Sequence, residues 1–375
     1  MSGVGERYPH AMLREICEQP EALRRTLAKY VRAGSLDLDA LGGAAELLGA
    51  HDELLIAASG SSRHAGLAAE VMMEDEAGLL VDVEYASEFA TRSAAAHPRA
   101  VVLVISQSGE TADTLAALRV ARESGHATMA ITNVAESSMA REGSISLPTL
   151  AGLERAIPAT KSFTTQLLVL RLLSLLAAQT RNTVDQRRVR AAMDELSRLP
   201  DVISEQLRSW LHAAEALAGR YADAQTLLYL GRGVHYAIAR EGALKLKESS
   251  YIPAEGYPSG ELKHGPNALV SDVLPLVVLA TVDHGDAGSV LRYEKTLSLL
   301  SDLRTQGARV LAIGVSGDQR LKEVATDVIE IHPLSESLLP IAEVIPLQMF
   351  AYHMAIARGV DVDRPRNLVK SVVRE

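Results

Sequence analysis

The sequence predicts an α/β protein built from two similar units, each with a parallel sheet flanked by helices. Short apolar runs alternate with helical patterns in the first half, and the same alternation restarts after a long helical stretch. The halves also match in detail about 173 to 175 residues apart, where LLIAASGSSRHAG is answered by LLYLGRGVHYAIA and VVLVISQSGETADTL by LPLVVLATVDHGDAGSV. Periodicity and internal repetition therefore indicate the same architecture.

The elements of the first half follow in chain order. Residues 1–50 carry a helical pattern and form a predicted amino-terminal helical segment. The first repeat, residues 51–217, has four apolar runs that predict buried strands, and it ends in a Leu-, Ala- and Arg-rich helical stretch from about Lys161 to Leu217. The strand runs are LLIAAS, LLVDVEYA, VVLVIS and ATMAITN.

The second repeat covers residues 218–360 and restores the alternation. Its predicted strands are TLLYLG, LPLVVLAT, ARVLAIGV and DVIEIH. Residues 361–375, DVDRPRNLVKSVVRE, follow as a carboxyl-terminal tail, in which Pro365 disfavours helix in the residue before it. We expect this tail to close on a ligand site.

Composition excludes several classes of protein. With 47% hydrophobic and 23% charged residues among 375, the chain can bury a large core. Its net charge of −9 and lack of a long basic run disfavour nucleic-acid binding. The single cysteine, Cys17, favours a reducing compartment. The run QLLVLRLLSLLAAQ contains Arg171 and is short for a bilayer. We therefore expect a cytoplasmic protein with no membrane partner.

The turn SQSGET after the third strand is the clearest ligand signal. Backbone N–H groups at the start of the following helix point above the carboxyl edge of a parallel sheet, where anions bind. Ser106, Gln107, Ser108 and Thr111 add side-chain donors around Gly109. No lysine is present, so the turn is not a nucleotide P-loop, and four donors are more than a simple helix cap needs. We predict a phosphate site.

A second serine-rich turn supports this hypothesis. SGSSRHAG follows the neighbouring strand and supplies Ser61, Ser62 and Arg63. Two donor-rich turns from adjacent strands can close on one phosphate. The second repeat has TVDHGD where the first has SQSGET, so we expect only the first repeat to retain the anion site.

Charged residues in the second half supply candidate catalytic groups. In EGALKLKESSY a helical pattern places Glu241, Lys245 and Glu248 on one face, which by itself is also typical of a solvated salt-bridge surface. His264 lies in the loop GELKHGPNAL, and Lys370 lies five residues from the end of the tail. By themselves, an isolated loop histidine and a terminal lysine are more often solvated than catalytic.

Four segments together resemble the sugar-isomerase (SIS) domain family, specifically the isomerase half of glutamine–fructose-6-phosphate amidotransferases. They are SQSGET, LERAIPATKSFTTQL, REGALKLKESSYIPAEGYPSGELKHGPNALV and DVDRPRNLVKSVVRE. The resemblance implies two SIS subdomains of flavodoxin-like topology. It also implies that the phosphate ligands are Ser62, Ser106, Gln107, Ser108 and Thr111, that Ile157 and Val369 line the sugar, and that Lys245, Glu248, His264 and Lys370 are catalytic.

The resemblance implies further properties. It suggests a homodimer in which His264 completes the neighbouring subunit's site, and a Lys370 that forms a Schiff base with the keto sugar or stabilises its open form. Aldose–ketose interconversion moves a proton between C2 and C1, which Glu248 can carry, while His264 opens the ring and Lys245 stabilises the enediolate. We expect no metal or other cofactor, because the chemistry needs none and no metal-ligand spacing occurs.

The leading functional hypothesis is deamination and isomerisation of a glucosamine 6-phosphate-like substrate to a ketose 6-phosphate and ammonia. The printed sequence has no glutaminase region before the isomerase region, so we expect no glutamine-dependent synthesis by this chain alone. SGSSRHAG and ATKSF also resemble stand-alone deaminases. The alternatives are a plain phosphosugar isomerase or a synthase half using a partner's ammonia, a dehydratase of N-acetylated substrate that loses the 3-hydroxyl, and a non-catalytic phosphosugar sensor.

Overall fold

The computed structural model describes residues 8–91 and 99–372, which form two compact units. The first-sheet unit contains the described residues of Glu18–Glu154, Lys161–Pro200 and Val369–Glu375. The second-sheet unit contains those of Met1–Cys17, Arg155–Thr160 and Asp201–Leu368. Each unit holds one five-stranded sheet with helices around it, so the predicted fold class is confirmed.

The strands and helices are numbered in chain order. The strands are β1 (Val31–Arg32), β2 (Ser35–Leu36), β3 (Glu53–Ala58), β4 (Leu80–Tyr85), β5 (Val101–Ser106), β6 (Thr128–Thr132), β7 (Ile145–Pro148), β8 (Leu227–Gly231), β9 (Ala254–Pro258), β10 (Leu276–Ala280), β11 (Val310–Val315) and β12 (Asp327–Ile331). The helices are α1 (Ala11–Cys17), α2 (Gln19–Tyr30), α3 (Ala44–Ala50), α4 (Gly60–Ala77), α5 (Ala86–Thr91), α6 (Ala112–Glu123), α7 (Ser138–Glu142), α8 (Lys161–Thr180), α9 (Gln186–Tyr221), α10 (Val234–Ser250), α11 (Ala287–Thr305), α12 (Gln319–Val324) and α13 (Leu339–Ala357). Two short 3-10 helices, Glu261–His264 and Pro266–Leu269, lie between β9 and β10.

Both five-stranded sheets are parallel throughout and have the same strand order, whereas β1 and β2 form a separate antiparallel pair. The first runs β4-β3-β5-β6-β7 and the second β9-β8-β10-β11-β12, which is the flavodoxin-like order 2-1-3-4-5. In such sheets ligands bind at the carboxyl ends of the strands where the order reverses. That point lies between β3 and β5 in the first sheet, where the sequence analysis placed the two serine-rich turns.

The central strands are buried on both faces, which explains their continuous apolar sequences. Every residue of β5, β8, β10 and β11 is buried, as expected for parallel strands covered by helices. The sequence analysis missed the short pair β1 and β2 and one strand of each five-stranded sheet, β7 and β9. Strands β7 and β9 each lie at a sheet edge and both contain proline, which is tolerated there because an edge strand leaves one side of its backbone unpaired.

Two helices are apolar on nearly all sides. By length and composition, α8 and α13 could cross a membrane, but most of their residues are buried inside the protein. A core helix of a globular protein has the same character, so these two helices are weak evidence for membrane spans. Arg171, the charge noted within the α8 run, is buried and forms an ion pair with Glu76 of α4.

Candidate functional site

The turn after β5 brings three hydroxyl groups together. Ser106 ends the strand, and its Oγ lies 2.9 Å from Thr111 Oγ1 and 3.5 Å from Ser108 Oγ. Thr111 is the N-cap of α6, yet its side chain makes no capping hydrogen bond. Its hydroxyl is therefore directed to the serine cluster, which lies at the amino end of a helix, where anions are stabilised.

Gly109 is required by the shape of this turn. Its φ is 65°, a left-handed conformation that glycine adopts without strain. A Cβ at this position would lie 2.1 Å from Ser137 Oγ and 2.7 Å from Thr132 Oγ1. The Gly109 N–H donates to Ser106 Oγ over 3.2 Å, which orients that hydroxyl. The glycine thus lets the chain fold closely around the hydroxyl cluster.

The remaining predicted ligands of the first-sheet unit lie around the same sheet edge. Ser62 is in the first turn of α4, the helix that follows β3, and its Oγ accepts a 3.0 Å hydrogen bond from Gln166. Ser61 precedes it in that turn and is half-buried. Gln107 is half-buried and lines a cavity of about 760 Å³ together with Asn133 and Glu154.

The carboxyl-terminal tail lies against the hydroxyl turn. Ser371 Oγ is 3.0 Å from Ser108 Oγ, and the Val372 carbonyl accepts a 2.9 Å hydrogen bond from the N–H of Ala112, the first residue of α6. Lys370 Nζ lies 2.6 Å from Glu154 Oε2. The structure therefore brings the predicted lysine and the predicted phosphate turn into one unit, 259 to 264 residues apart in the sequence.

Lys370 is held by a carboxylate that the sequence analysis did not single out. Glu154 has no exposed side-chain surface, and it also accepts hydrogen bonds from the N–H and hydroxyl of Ser162, at 3.1 and 2.7 Å. It belongs to the segment LERAIPATKSFTTQL, but nothing in its local pattern indicates a lysine partner. Only the fold reveals the pair, because the two residues are 216 positions apart.

The second-sheet unit carries the predicted acid–base helix. On α10, Lys245 Nζ lies 2.5 Å from Glu248 Oε2 and 3.5 Å from Glu241 Oε1. Lys245 and Glu241 are fully buried, whereas the Glu248 side chain is 22% exposed. Burying charges costs several kcal/mol, so this group is not the solvated salt-bridge surface that the pattern alone allowed. Glu248 is the carboxylate of the group with access to solvent.

The other predicted residues show a range of exposure. His264 is exposed at the end of a 3-10 helix, and Ile157 is half-buried, with its N–H donating to the Asp363 carbonyl over 3.3 Å. Both lie in the second-sheet unit, and Val369, in the first-sheet unit, is 64% exposed. Within residues 8–91 and 99–372 there is no group of three or more His, Cys, Asp or Glu side chains that could hold a metal ion.

Comparison with known proteins identifies similar chains. The family model described as SIS domain matches residues 46–176 and 220–358. The glutamine–fructose-6-phosphate aminotransferase (isomerizing) of Chlorobaculum tepidum is 43% identical over 370 residues, which is 98% of this chain and 59% of the relative. The chain thus spans about three fifths of the length of this curated relative.

Solved structures of similar proteins also match this chain over most of its length. The C-terminal domain of glucosamine-fructose-6-phosphate aminotransferase from Francisella tularensis matches with a TM-score of 0.89 and 36% identity, covering 96% of this chain and 100% of that one. A glucosamine-6-phosphate deaminase from Thermotoga maritima matches with a TM-score of 0.71 at 24% identity, covering 97% and 99%, and shares the fold. The names of these relatives support the prediction of an enzyme. Two matched domains, high coverage and high identity show that the chain belongs to the SIS domain family, as its four sequence segments predicted.

Proposed function

We propose that this chain is an amino-sugar-phosphate deaminase and isomerase that converts a glucosamine 6-phosphate-like substrate to a ketose 6-phosphate and ammonia. The observation that carries the proposal is the partly exposed Glu248 carboxylate, which lies beside the buried Lys245 on α10. The chain also has a cluster of hydroxyl groups at the amino end of α6. Such a carboxylate can move a proton, and such a terminus can hold a phosphate.

In this proposal the phosphate of the substrate binds at the turn after β5. Ser106, Ser108 and Thr111 donate hydroxyl hydrogen bonds, and the first N–H groups of α6 add the positive end of the helix. Ser62 and Gln107 complete the ligands. Holding the phosphate restricts the freedom of the open sugar chain, which removes part of the entropic cost of the reaction.

The proton transfer accounts for the isomerase step. His264 opens the sugar ring, and Glu248 removes the proton from C2 of the open amino-aldose and returns it to C1. The Lys245 ammonium stabilises negative charge that develops on oxygen. The product is an imine at C2, to which water adds, so that ammonia leaves and the ketose remains. Lys370 would stabilise the open chain, as an ammonium or as a Schiff base with the keto carbon.

A second candidate is supported by the relatives. They are named aminotransferases, and synthesis of the amino sugar from a ketose 6-phosphate and ammonia is the same reaction in reverse. In that case the chain would act as the isomerase part of a synthase and receive ammonia from another source. Simple aldose–ketose isomerisation, dehydration and ligand sensing are less well supported, and the following assay distinguishes all of them.

The test measures both directions with purified protein. In the forward direction, free and N-acetylated hexosamine 6-phosphates are supplied, and ammonia, ketose phosphate and ultraviolet-absorbing enone are followed separately. In the reverse direction, a ketose 6-phosphate is supplied with ammonium, and the amino sugar is measured. We expect ammonia and ketose phosphate in equal amounts from the free amine.

Each of the other possible results would favour a different function. Faster amino-sugar formation from ammonium would favour the synthase part, and enone without ammonia would mean dehydration. Interconversion of a hexose and a ketose phosphate without a nitrogen requirement would mean simple isomerisation. Tight binding without turnover would mean sensing. Glu248→Gln is the control variant, because it should abolish turnover while retaining phosphate binding.

A further inference from the structure

The second-sheet unit carries a partly buried charged cluster at the position that corresponds to the hydroxyl turn. In the first sheet Ser106 ends β5, and the turn after it leads to Thr111, the N-cap of α6. In the second sheet Thr281 follows β10, and the matching turn leads to Asp286, the N-cap of α11.

The turns that precede α4 and α10 also match. Gly233 and Gly60 have φ values of 53° and 54°, and His235 and Ser62 lie two residues after them.

The cluster is centred on the carboxylate of Glu336. Arg292 binds it with two nitrogens, Nε at 2.8 Å and Nη2 at 2.6 Å from Oε1, and the Ser289 hydroxyl donates to Oε2. His235 Nε2 lies 3.2 Å from Oε1. Ser289 is in the first turn of α11 and His235 in the first turn of α10, so the carboxylate lies at the amino ends of two helices.

A second carboxylate lies behind the first. Glu343 of α13 is fully buried, accepts a hydrogen bond from the Thr281 hydroxyl, and lies 2.8 Å from His235 Nδ1. Burial by itself would lower the pKa of His235, but Glu343 and Glu336 outweigh burial and raise it to about 10. Burial likewise opposes ionisation of Glu336, yet the bonds from His235, Ser289 and Arg292 lower its pKa to about 2. His235 and Glu336 are therefore both charged near neutral pH.

The groups around Glu336 are those that proteins use to bind phosphate. An arginine fork, a hydroxyl in the first turn of one helix and a histidine in the first turn of another form an anion site in the crevice between two adjacent strands. We infer that Glu336 is an internal substitute for a phosphate, so that the second-sheet unit contains an anion site that its own carboxylate occupies. The inference rests on the proposed function only in treating the hydroxyl turn as the equivalent phosphate site.

The inference predicts how many phosphates each variant binds. Inorganic phosphate is the probe, measured by equilibrium dialysis with the full chain. We expect one phosphate per wild-type chain and two for Glu336→Ala, because removing the carboxylate empties the space that it fills between Arg292, Ser289 and His235 Nε2. Glu343 still faces His235 Nδ1, and Asp286 still lies 3.6 Å from Arg292 Nη2. Ser106→Ala with Thr111→Ala should bind none, and the triple variant should bind one.

This design separates the two hypotheses. If the double variant still binds one phosphate and Glu336→Ala binds two, only the assignment of the hydroxyl turn fails. If Glu336→Ala binds no more than wild type, the internal substitute is rejected. Glu330→Ala is the matched control, because it removes a carboxylate of the same unit that is ion-paired with Lys322 on the surface, and it should bind as wild type does.

Thermal unfolding gives a second test that still applies if Glu336→Ala folds poorly. Phosphate that refills the empty site should raise the thermal midpoint of Glu336→Ala by about 2 °C or more beyond the rise seen for wild type and Glu330→Ala. If the variant is recovered only by refolding, its yield should increase when phosphate is included. A midpoint or a refolding yield that responds no more to phosphate than the controls do would overturn the inference.

Discussion

Lys245 and Lys370 are both paired with glutamate, but they differ in how firmly they are held. Lys245 has 1% of its side chain exposed and lies between Glu241 and Glu248. Moving it would separate its buried ammonium from both carboxylates, so we expect it to remain fixed. Lys370 is 26% exposed and lies in the tail, so a ligand can compete with Glu154 for its ammonium.

The hydroxyls of the turn can be tested by removing two of them. Ser106→Ala with Thr111→Ala should raise the apparent KM for the phosphosugar by about a hundredfold or more, because each hydrogen bond to a charged group is worth about 1.5 to 3 kcal/mol. Steady-state kinetics measure the change, and circular dichroism checks folding. Ser124→Ala at the exposed end of α6 is the control. An unchanged KM would refute the assignment, as would equal use of an unphosphorylated sugar.

Glu154 should act through Lys370. Glu154→Gln removes the charge but can still accept the hydrogen bond from the Ser162 N–H, so we expect the chain to fold and kcat to fall about tenfold or more with little change in KM. Kinetics of the double variant with Lys370→Ala provide the decisive comparison. The effects of residues that act together are not additive, so the second change should add little.

The control for this pair is Glu142→Gln, which breaks a surface pair with Arg119 in the same unit. It should leave kcat unchanged. If the losses from Glu154→Gln and Lys370→Ala multiply in the double variant, Glu154 has a role independent of the lysine and its proposed positioning function is wrong.

The tail is an element whose contacts overlap with those expected for a ligand. Val372 accepts a hydrogen bond from the first N–H of α6, and Ser371 contacts Ser108. The Ala112 N–H and the Ser108 hydroxyl, which contact the tail, are donors that a phosphate at the turn would also use. A bound substrate would therefore exchange contacts with the tail, and ordering the tail around a sugar would carry an entropic cost that substrate contacts must offset.

Removing the tail lysine should affect catalysis much more than stability. Lys370→Ala, or deletion of residues 366–375, should lower kcat by about a hundredfold or more, the effect of losing one positioned catalytic group, while the thermal midpoint changes little. Lys322→Ala, which breaks a surface ion pair elsewhere, is the control. Borohydride reduction followed by peptide mapping tests for a Schiff base on Lys370. Full activity after deletion would remove the lysine from the mechanism.

The cluster around His235 joins the ends of α10, α11 and α13, and it should make stability depend on pH. Because the folded-state pKa of His235 is raised from 6.5 to about 10, its protonation stabilises the fold fully below pH 6.5, and that contribution is lost as the pH rises through 10. Glu336 and Glu343 are the carboxylates that face His235, and the lowered pKa of Glu336, about 2, keeps that group ionised over this range.

Thermal unfolding between pH 6 and 10.5 measures this dependence. We expect the midpoint of the wild type to fall with rising pH, by an amount equivalent to a few kcal/mol at most. His235→Gln should start lower and change less over the same range. Parallel curves for the two proteins would show that His235 does not titrate in this way.

The part of the chain that the structure describes contains two five-stranded sheets of the same topology, and the hydroxyl turn follows the third strand of the first sheet. The resemblance also implies that His264 acts in a neighbouring subunit, which complementation can test. Mixing Glu248→Gln with His264→Ala chains should restore part of the activity, about a quarter in a random mixture of dimers if one site per mixed dimer is intact. Light scattering of wild type measures the assembly.

Several results would contradict this arrangement. No rescue after verified subunit exchange would mean that each site uses His264 of its own chain. A monomer with full activity would have the same meaning. Mixing two preparations of the same variant is the control, and it should give no activity.

The sequence predicted the fold class well because burial leaves a local pattern. Four strands of each five-stranded sheet were recognised. Most are covered on both faces and are continuous apolar runs, and the edge strands β4 and β12 alternate buried and less buried residues. The edge strands β7 and β9 were missed because they are partly exposed and contain proline. The residues predicted for function differ in their sequence signals: those of the hydroxyl turn and those of α10 have local signatures, whereas Glu154 has none.

By itself, the sequence determined the repeated α/β architecture, the family and the residue types available for chemistry, because periodicity, repetition and short motifs are properties of neighbouring residues. Only the tertiary structure decided which charges are buried and which partners they have. Lys370 with Glu154 and His235 with Glu336 are separated by 216 and 101 positions. Their pairing depends on strand order and helix packing, since a buried charge is stable only where the fold brings it a partner.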